Sequence, residues 1–195
     1  MTTSVLFICD NNAIFGPMAE AFMKRHGWSA FTAYSAGILA KPIHRFTFRV
    51  MEEIGHDLYG YAAKSIFEFN HLERVDFLIT LSDTVNEHYV FNENHIGCRL
   101  HWPFRNPLLE PSLAASFSID DIPLFHPYLI NADYWVLSSG TQLATQKKST
   151  ISLYSEAQND VQDVLKRFRR TRDEMEVQVM NWLEEQGLGP LWWRR

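Results

Sequence analysis

The feature that most constrains this chain is a short apolar strand that runs into a cysteine and a compact loop. Residues 5–9 read Val-Leu-Phe-Ile-Cys, and Pro17 stands seven residues after the loop begins, where it is suited to open a helix. A helix start behind such a loop directs backbone N–H groups and partial positive charge toward a bound anion. The pattern predicts an anion-binding loop around the Cys9 thiol, followed by a helix over residues 18–26.

The predicted loop contains no cation. Its residues are Asp10, Asn11, Asn12, Ala13, Ile14, Phe15 and Gly16. The carboxylate of Asp10 works against a dianion, so we expect weak anion binding, a neutral ligand or no ligand. Two interpretations of Cys9 stay open: a small buried hydrophobic residue, which free cysteines usually are, or an accessible thiol in an anion pocket.

Strands and helices alternate along most of the chain. Apolar runs predict strands at 5–9, 30–34, 75–81 and 98–102, and helical periodicity or helix-ending glycines predict helices at 18–26, 43–54 and 154–186. This order predicts an α/β fold, a three-layer doubly wound sheet of four parallel strands. Ligands in such folds bind beyond the carboxyl ends of the strands, where Cys9 lies.

The domain organisation is interrupted once. We expect residues 1–110 and 154–189 to form one discontinuous domain, and residues 111–153, rich in serine, proline and aromatics, to form an insertion. Residues 190–195 form a tail that contains Trp192, Trp193 and two arginines. Because aromatic side chains are favoured in interface cores, the insertion or the tail is predicted to contact a protein partner. The alternatives are a lid made by the insertion, and a tail that contacts a membrane surface or folds back on the domain.

Composition excludes several classes of function. A net charge of −5 argues against nucleic-acid binding, and the basic run 166–172 is predicted to be a solvated helix face paired with nearby acidic residues. Two cysteines distant in sequence indicate a reducing, cytoplasmic location, and no run is long enough for a transmembrane segment. His95, Cys98 and His101 lack a second ligand pair, so we predict neither a metal nor a cofactor.

Together these residues resemble the low-molecular-weight protein tyrosine phosphatase family, including the arsenate reductases that share its fold. Cys9, Asn12 and the run Pro-Met-Ala-Glu at 17–20 match its phosphate-binding loop, and Ser-Ala-Gly at 35–37 matches its second strand. The similarity covers about residues 3–110 and 160–186. It implies a phosphotyrosine phosphatase I-like fold with a long C-terminal helix, in which Cys9 occupies the nucleophile position and Ser35 supports the loop.

Three departures fall on the chemistry that the resemblance implies. Phe15 stands at the position of the family's arginine, Gly16 at that of its Ser or Thr, and Asn106 at that of its general-acid aspartate. An arginine on a transferring phosphoryl group is worth roughly 10³–10⁵ in rate, and a general acid roughly 10²–10⁴. We therefore expect a pseudoenzyme that serves as a binding or regulatory module.

Two active alternatives remain open. In a divergent phosphatase or arsenate reductase, Cys9 would be the nucleophile and Lys41, Arg45 or Arg105 would replace the arginine. A disulfide relay is not expected, because the loop predicted at residues 82–89 contains no thiol and Cys98 is the only other cysteine. In a cysteine phosphoryl carrier, Cys9 would accept a phosphoryl group without that arginine.

Overall fold

The computed structural model describes residues 2–69, 74–88, 93–109 and 147–188. The chain divides into two compact units, one formed by Met1–Leu109 with Leu165–Arg195 and the other by Glu110–Val164. The sheet and the predicted site belong to the first unit. Of the second unit, the described part is the beginning of the last helix.

A four-stranded parallel sheet forms the centre of the first unit, which confirms the predicted fold class. Its strands are β1 (Thr3–Cys9), β2 (Phe31–Gly37), β3 (Val75–Thr80) and β4 (Ile96–His101), in the spatial order β2-β1-β3-β4. Cys9 pairs with Gly37, and Ile8 pairs with Thr80. The three neighbouring strands thus end at nearly the same level, and the residues that follow them share one edge.

Four α-helices accompany the sheet in the described parts of the chain: α1 (Phe15–Gly27), α2 (Arg45–Glu52), α3 (Asp83–His88) and α4 (Lys147–Glu185). Helix α1 begins before Pro17, which is its third residue rather than its first. Proline is tolerated there because the first four N–H groups of a helix have no acceptor within it. Helix α4 begins earlier than predicted, since no glycine or proline interrupts residues 147–186.

Both faces of the sheet are packed, which gives the predicted three layers. On one face Trp182 of α4 lies 4.9 Å from the ring of Phe77 and 5.3 Å from that of Phe31. On the other face Val85 of α3 belongs to a cluster with Leu6, Ile8, Ala36, Val75 and Leu78. The prediction of a loop over residues 82–89 was wrong at α3, where Asp83 supplies a carboxylate to the first helical turn.

The basic run of α4 is only in part the solvated face that the sequence predicted. Lys166 and Arg170 are exposed, and Arg172 forms the expected pair with Asp173, but Arg167 and Arg172 are buried. Arg169 donates from Nε and Nη2 to the two carboxylate oxygens of Glu53, each over 2.7 Å. Arg172 is buried and donates from Nη1 to the backbone oxygen of Val50 over 2.8 Å. These partners belong to α2 or follow it, so they lie more than a hundred residues away and could not be seen in the local sequence. The arginines fasten α4 to α2.

No helix in the described ranges is long and apolar enough to cross a membrane.

Candidate active-site loop

The loop after β1 is held by its backbone carbonyl groups. The carbonyl oxygens of Cys9, Asp10, Asn11 and Ala13 accept hydrogen bonds from the N–H groups of Ile38, Leu39, Lys41 and His44 over 2.9–3.2 Å. The Thr47 hydroxyl donates to the Ala13 oxygen as well, over 3.0 Å. With these carbonyl groups turned toward residues 38–47, the loop keeps its shape without a ligand.

N–H groups of the loop converge on the Cys9 sulfur. The side chain is 2% exposed. Burial raises the pKa of the Cys9 thiol to about 11, although the backbone N–H groups of Gly16, Asn12 and Asn11 donate to the sulfur and favour the thiolate. The negative charge of Asp10 raises this pKa further. Of the two interpretations of Cys9, the structure shows the buried residue, and the raised pKa favours its neutral form.

Asn12 and Gly16 fit together tightly beneath the loop. Asn12 is fully buried in the left-handed conformation, with φ +52°, and its Nδ2 donates to the Ser35 oxygen over 3.2 Å. Its Oδ1 has no hydrogen-bond partner within the described residues. A Cβ at position 16 would lie 1.9 Å from that oxygen. The side chain of Asn12 thus fills the space that a larger residue at position 16 would need.

A buried ionic cluster supports Ser35 from below. The Ser35 hydroxyl donates to Glu20 Oε2 over 2.6 Å, and Lys64 donates to the same oxygen over 2.8 Å. Lys24 donates to Oε1 over 2.6 Å. Burial acts to raise the pKa of Glu20, but the hydrogen bonds from Lys24, Lys64 and Ser35 outweigh it and lower that pKa. Glu20 is therefore a buried carboxylate that fixes the layer under the loop.

Sequence reasoning missed Glu20 and Lys64 as supports of the site. Both residues were visible only as members of matched segments, Glu20 at the end of the Pro-Met-Ala-Glu run. A charged residue on α1 could be recognised as buried only from its position below β2. Its partner Lys64 lies 44 residues away.

Phe15, which the sequence comparison placed at the position of the family's arginine, makes an apolar contact. It is the first residue of α1, it is buried, and its ring centroid lies 5.9 Å from that of Phe104. Of the three cations considered as substitutes, Lys41 and Arg105 have exposed side chains. The guanidinium of Arg45 lies over the ring of Phe46, 4.9 Å from its centroid.

Asn106 shapes the turn that follows β4. Its Oδ1 accepts a hydrogen bond from the Leu108 N–H over 3.0 Å, and its backbone oxygen accepts one from Leu109 over 3.1 Å. This is the common use of asparagine before a turn. A neutral amide has no acidic proton to give to a leaving group, so the position contributes backbone geometry.

The remaining candidate ligands and thiols are dispersed. His101 contacts Thr80 Oγ1 through Nδ1 over 2.9 Å and Asp83 through Nε2 over 3.0 Å. Among residues placed by the structure, no three His, Cys, Asp or Glu side chains are arranged to hold a metal. Cys98 pairs with Phe77, which pairs with Val5. Cys98 is therefore separated from Cys9 by four residues along the strand direction, about 13 Å, and by two strand spacings across the sheet, about 10 Å.

Comparisons with known proteins agree with this architecture. The model of the family "low molecular weight phosphotyrosine protein phosphatase" matches residues 4–100. Arsenate reductase 2 of Bacillus cereus is 30% identical over 104 residues, which are 53% of this chain and 76% of that protein. Arsenate reductase of Brevibacillus brevis is 28% identical, also over 104 residues, which are 53% of this chain and 76% of that protein.

A solved structure shows the same fold. It is an arsenate reductase in the phosphate-binding state, with a TM-score of 0.58, 18% sequence identity, and coverage of 94% of this chain and 98% of that one. The sequence match and the fold lead to one assignment. This chain belongs to the family of low molecular weight phosphotyrosine protein phosphatases and arsenate reductases.

Proposed function

We propose that this protein is a non-catalytic member of its family that acts as a binding or regulatory module. The observation that carries the proposal is the buried, neutral thiol of Cys9. Burial raises the pKa of this thiol to about 11, well above neutral pH. Because the thiolate is the nucleophile in cysteine chemistry, the loop lacks its reactive form at neutral pH.

The surroundings of Cys9 support the same proposal. The position that would bind an oxyanion through two hydrogen bonds is occupied by Phe15, whose ring packs against Phe104. Asn106 is engaged in a turn and cannot protonate a leaving group. Each loss alone would slow phosphoryl transfer by orders of magnitude, although the two effects need not multiply.

The binding activity that we propose concerns a protein partner in the cytoplasm. Its contacts are residues 111–153 or the tail with Trp192 and Trp193. The tail and most of residues 111–153 lie outside the described residues, and 147–153 form the start of α4. The Cys9 loop is at most a weak anion site.

Two enzyme assays test the proposal. The unaltered chain, Cys9→Ser and Cys98→Ser are assayed for hydrolysis of an aryl phosphate and for reduction of arsenate with a thiol reductant. We expect the three chains to be indistinguishable from the buffer, since neither cysteine is an activated nucleophile. Turnover that disappears in Cys9→Ser and persists in Cys98→Ser would refute the proposal.

A second candidate is a divergent arsenate reductase or phosphatase. It is favoured by the N–H groups of Asn11, Asn12 and Gly16, which still converge on the sulfur, and by the relatives named above. A cation would have to come from Lys41, Arg45 or Arg105. If turnover is found, replacing each of these residues by Met in turn identifies the cation, and an unchanged rate in all three excludes this version.

The phosphoryl-carrier alternative makes a separate prediction. A carrier holds its phosphoryl group on sulfur between two reactions, so intact-mass measurement of freshly isolated protein would show the added mass of one phosphoryl group. The same measurement on Cys9→Ser is the control. We expect the unmodified mass for both chains, because the Cys9 sulfur is inaccessible.

A further inference from the structure

A groove lies on the first compact unit beside the sheet, outside the Cys9 loop. Its volume is about 460 Å³. The residues after β4 form one wall with Trp102, Pro103 and Phe104, and α4 forms the other with Asp173, Glu174, Val177 and Gln178. Val177 is 58% exposed, although it is aliphatic. The groove combines aromatic and aliphatic surface with two carboxylates at its edge.

Helix α4, which forms one side of the groove, ends at a left-handed glycine. Gly187 has φ +77°; its N–H donates to the Glu184 oxygen over 2.9 Å, and the Leu188 N–H donates to the Leu183 oxygen over 2.8 Å. This pair of bonds around a left-handed glycine is the Schellman motif, which ends a helix.

The chain after the helix is long enough to come back to the groove. Val177 lies ten residues before Gly187 on α4, about 15 Å along the helix axis. The five residues from Gly189 to Trp193 span at most about 18 Å when extended. An extended chain could therefore bring Trp193 to Val177.

We propose that residues 189–195 fold back along α4 and dock in this groove. The tail has the complementary chemistry: Trp192 and Trp193 offer aromatic surface to Phe104 and Val177, and the two arginines after them face the carboxylates at the edge.

Those carboxylates have room for a second cation. The Asp173 side chain is 60% exposed beyond its bond to Arg172, and that of Glu174 is 57% exposed, with Arg170 at 3.9 Å. The chain's own tail is the proposed occupant of the groove, so residues 111–153 would be the contact for a protein partner.

Docking would also affect the Cys9 loop, because the Phe104 ring belongs both to the groove and to a contact of the loop. Phe104 forms part of the groove wall and also contacts Phe15 at the start of α1. A tail seated against Phe104 would brace that contact. The docked tail would then stabilise the loop, and the groove would not be a second active site.

A full-length variant with a vacated groove tests the proposal. Trp192→Ala combined with Trp193→Ala removes the docking side chains, and a fluorescent peptide of residues 188–195 serves as the probe. Fluorescence anisotropy should show the peptide binding this variant at least ten-fold more tightly than the unaltered chain, whose groove is occupied. Adding Val177→Lys should abolish the gain, whereas adding Phe67→Lys, at a residue 66% exposed and outside the groove, should not.

Three results would overturn the proposal. They are equal binding to the vacated and unaltered chains, equal effects of Val177→Lys and Phe67→Lys, and sedimentation showing a dimer that the two tryptophan substitutions convert to a monomer. The last result would make a second copy the occupant. Circular dichroism of each variant verifies that the lost binding is not lost folding.

Discussion

Raising the pH should destabilise this protein through Cys9. In the folded chain burial raises the pKa of the Cys9 thiol to about 11, whereas its ordinary value is 9.0. Below pH 9 the thiol is neutral in both the folded and the unfolded chain, so its contribution to stability is fully present. Between pH 9 and pH 11 the unfolded chain releases the proton while the folded chain retains it, and the folded state loses stability relative to the unfolded one.

The size of the loss follows from the two pKa values. They differ by about two units, and each unit corresponds to about 1.4 kcal/mol. The free energy of unfolding should therefore fall by about 3 kcal/mol between pH 8.5 and pH 11.5 because of this one group. A loss of that size is a large share of the 5–15 kcal/mol that is usual for a folded domain.

Urea unfolding followed by tryptophan fluorescence measures this loss. The unaltered chain is compared at each pH with Cys9→Ser, whose hydroxyl does not ionise in the window, and with Cys98→Ser as a matched control. Two other groups titrate in all three chains: Lys24, whose pKa is raised because its bond to Glu20 outweighs burial, and Tyr61, whose pKa burial raises. Their contributions cancel in the difference, so the 3 kcal/mol should appear only against Cys9→Ser.

Two results would refute the reasoning. One is a difference curve against Cys9→Ser that is flat from pH 8.5 to 11.5. The other is ultraviolet absorbance showing a thiolate at Cys9 below pH 8 in the Cys98→Ser background. Either would mean that the N–H groups of the loop outweigh burial, and the proposal of a non-catalytic site would lose its main support.

Three substitutions test the packing around the loop. Gly37→Ala should cost at least the 1–3 kcal/mol of an overpacked site, because the new Cβ would lie 2.6 Å from the Asn11 backbone. Urea unfolding should show it to be worse than Gly16→Ala, whose Cβ meets side chains, those of Asn12 and Ser35, and no backbone atom within 3.1 Å. Glu20→Gln should cost about 1–3 kcal/mol in the same assay, since it removes the charge that Lys24 and Lys64 share, and solvent screens these two lysines, which are 48% and 25% exposed. Phe15→Arg should lower the melting temperature and give no Cys9-dependent hydrolysis of an aryl phosphate, because the thiol stays neutral; a gain of turnover would contradict this.

Much of the fold could be predicted because it is encoded locally. The apolar run that ends at Cys9, the turn that begins at Gly37 and the helix-ending Gly187 each act within a few residues. The helix start predicted from Pro17 lies two residues after the observed start of α1, since a proline fits anywhere in a first helical turn. The four parallel strands followed from the alternation of strands with helical segments.

The site was predicted less completely because its state depends on burial. The sequence shows that Phe15 and Asn106 cannot do the family's chemistry, but not that Phe15 packs on Phe104. It left two interpretations of Cys9, and only the position of the side chain beneath the loop decides between them. The contact of Arg169 with Glu53 joins residues 116 apart. Such a contact leaves no local pattern in the sequence.

The carbonyl hydrogen bonds of the loop have a consequence for engineering it. Because backbone groups of residues 38–44 hold the loop, its shape does not depend on which side chains it carries. Side chains at position 15 can therefore be exchanged without collapse of the loop. A larger residue at position 16 would meet an obstacle, because Asn12 occupies the space beside Gly16. New chemistry in this loop would need coordinated changes of side chains, while the backbone could stay as it is.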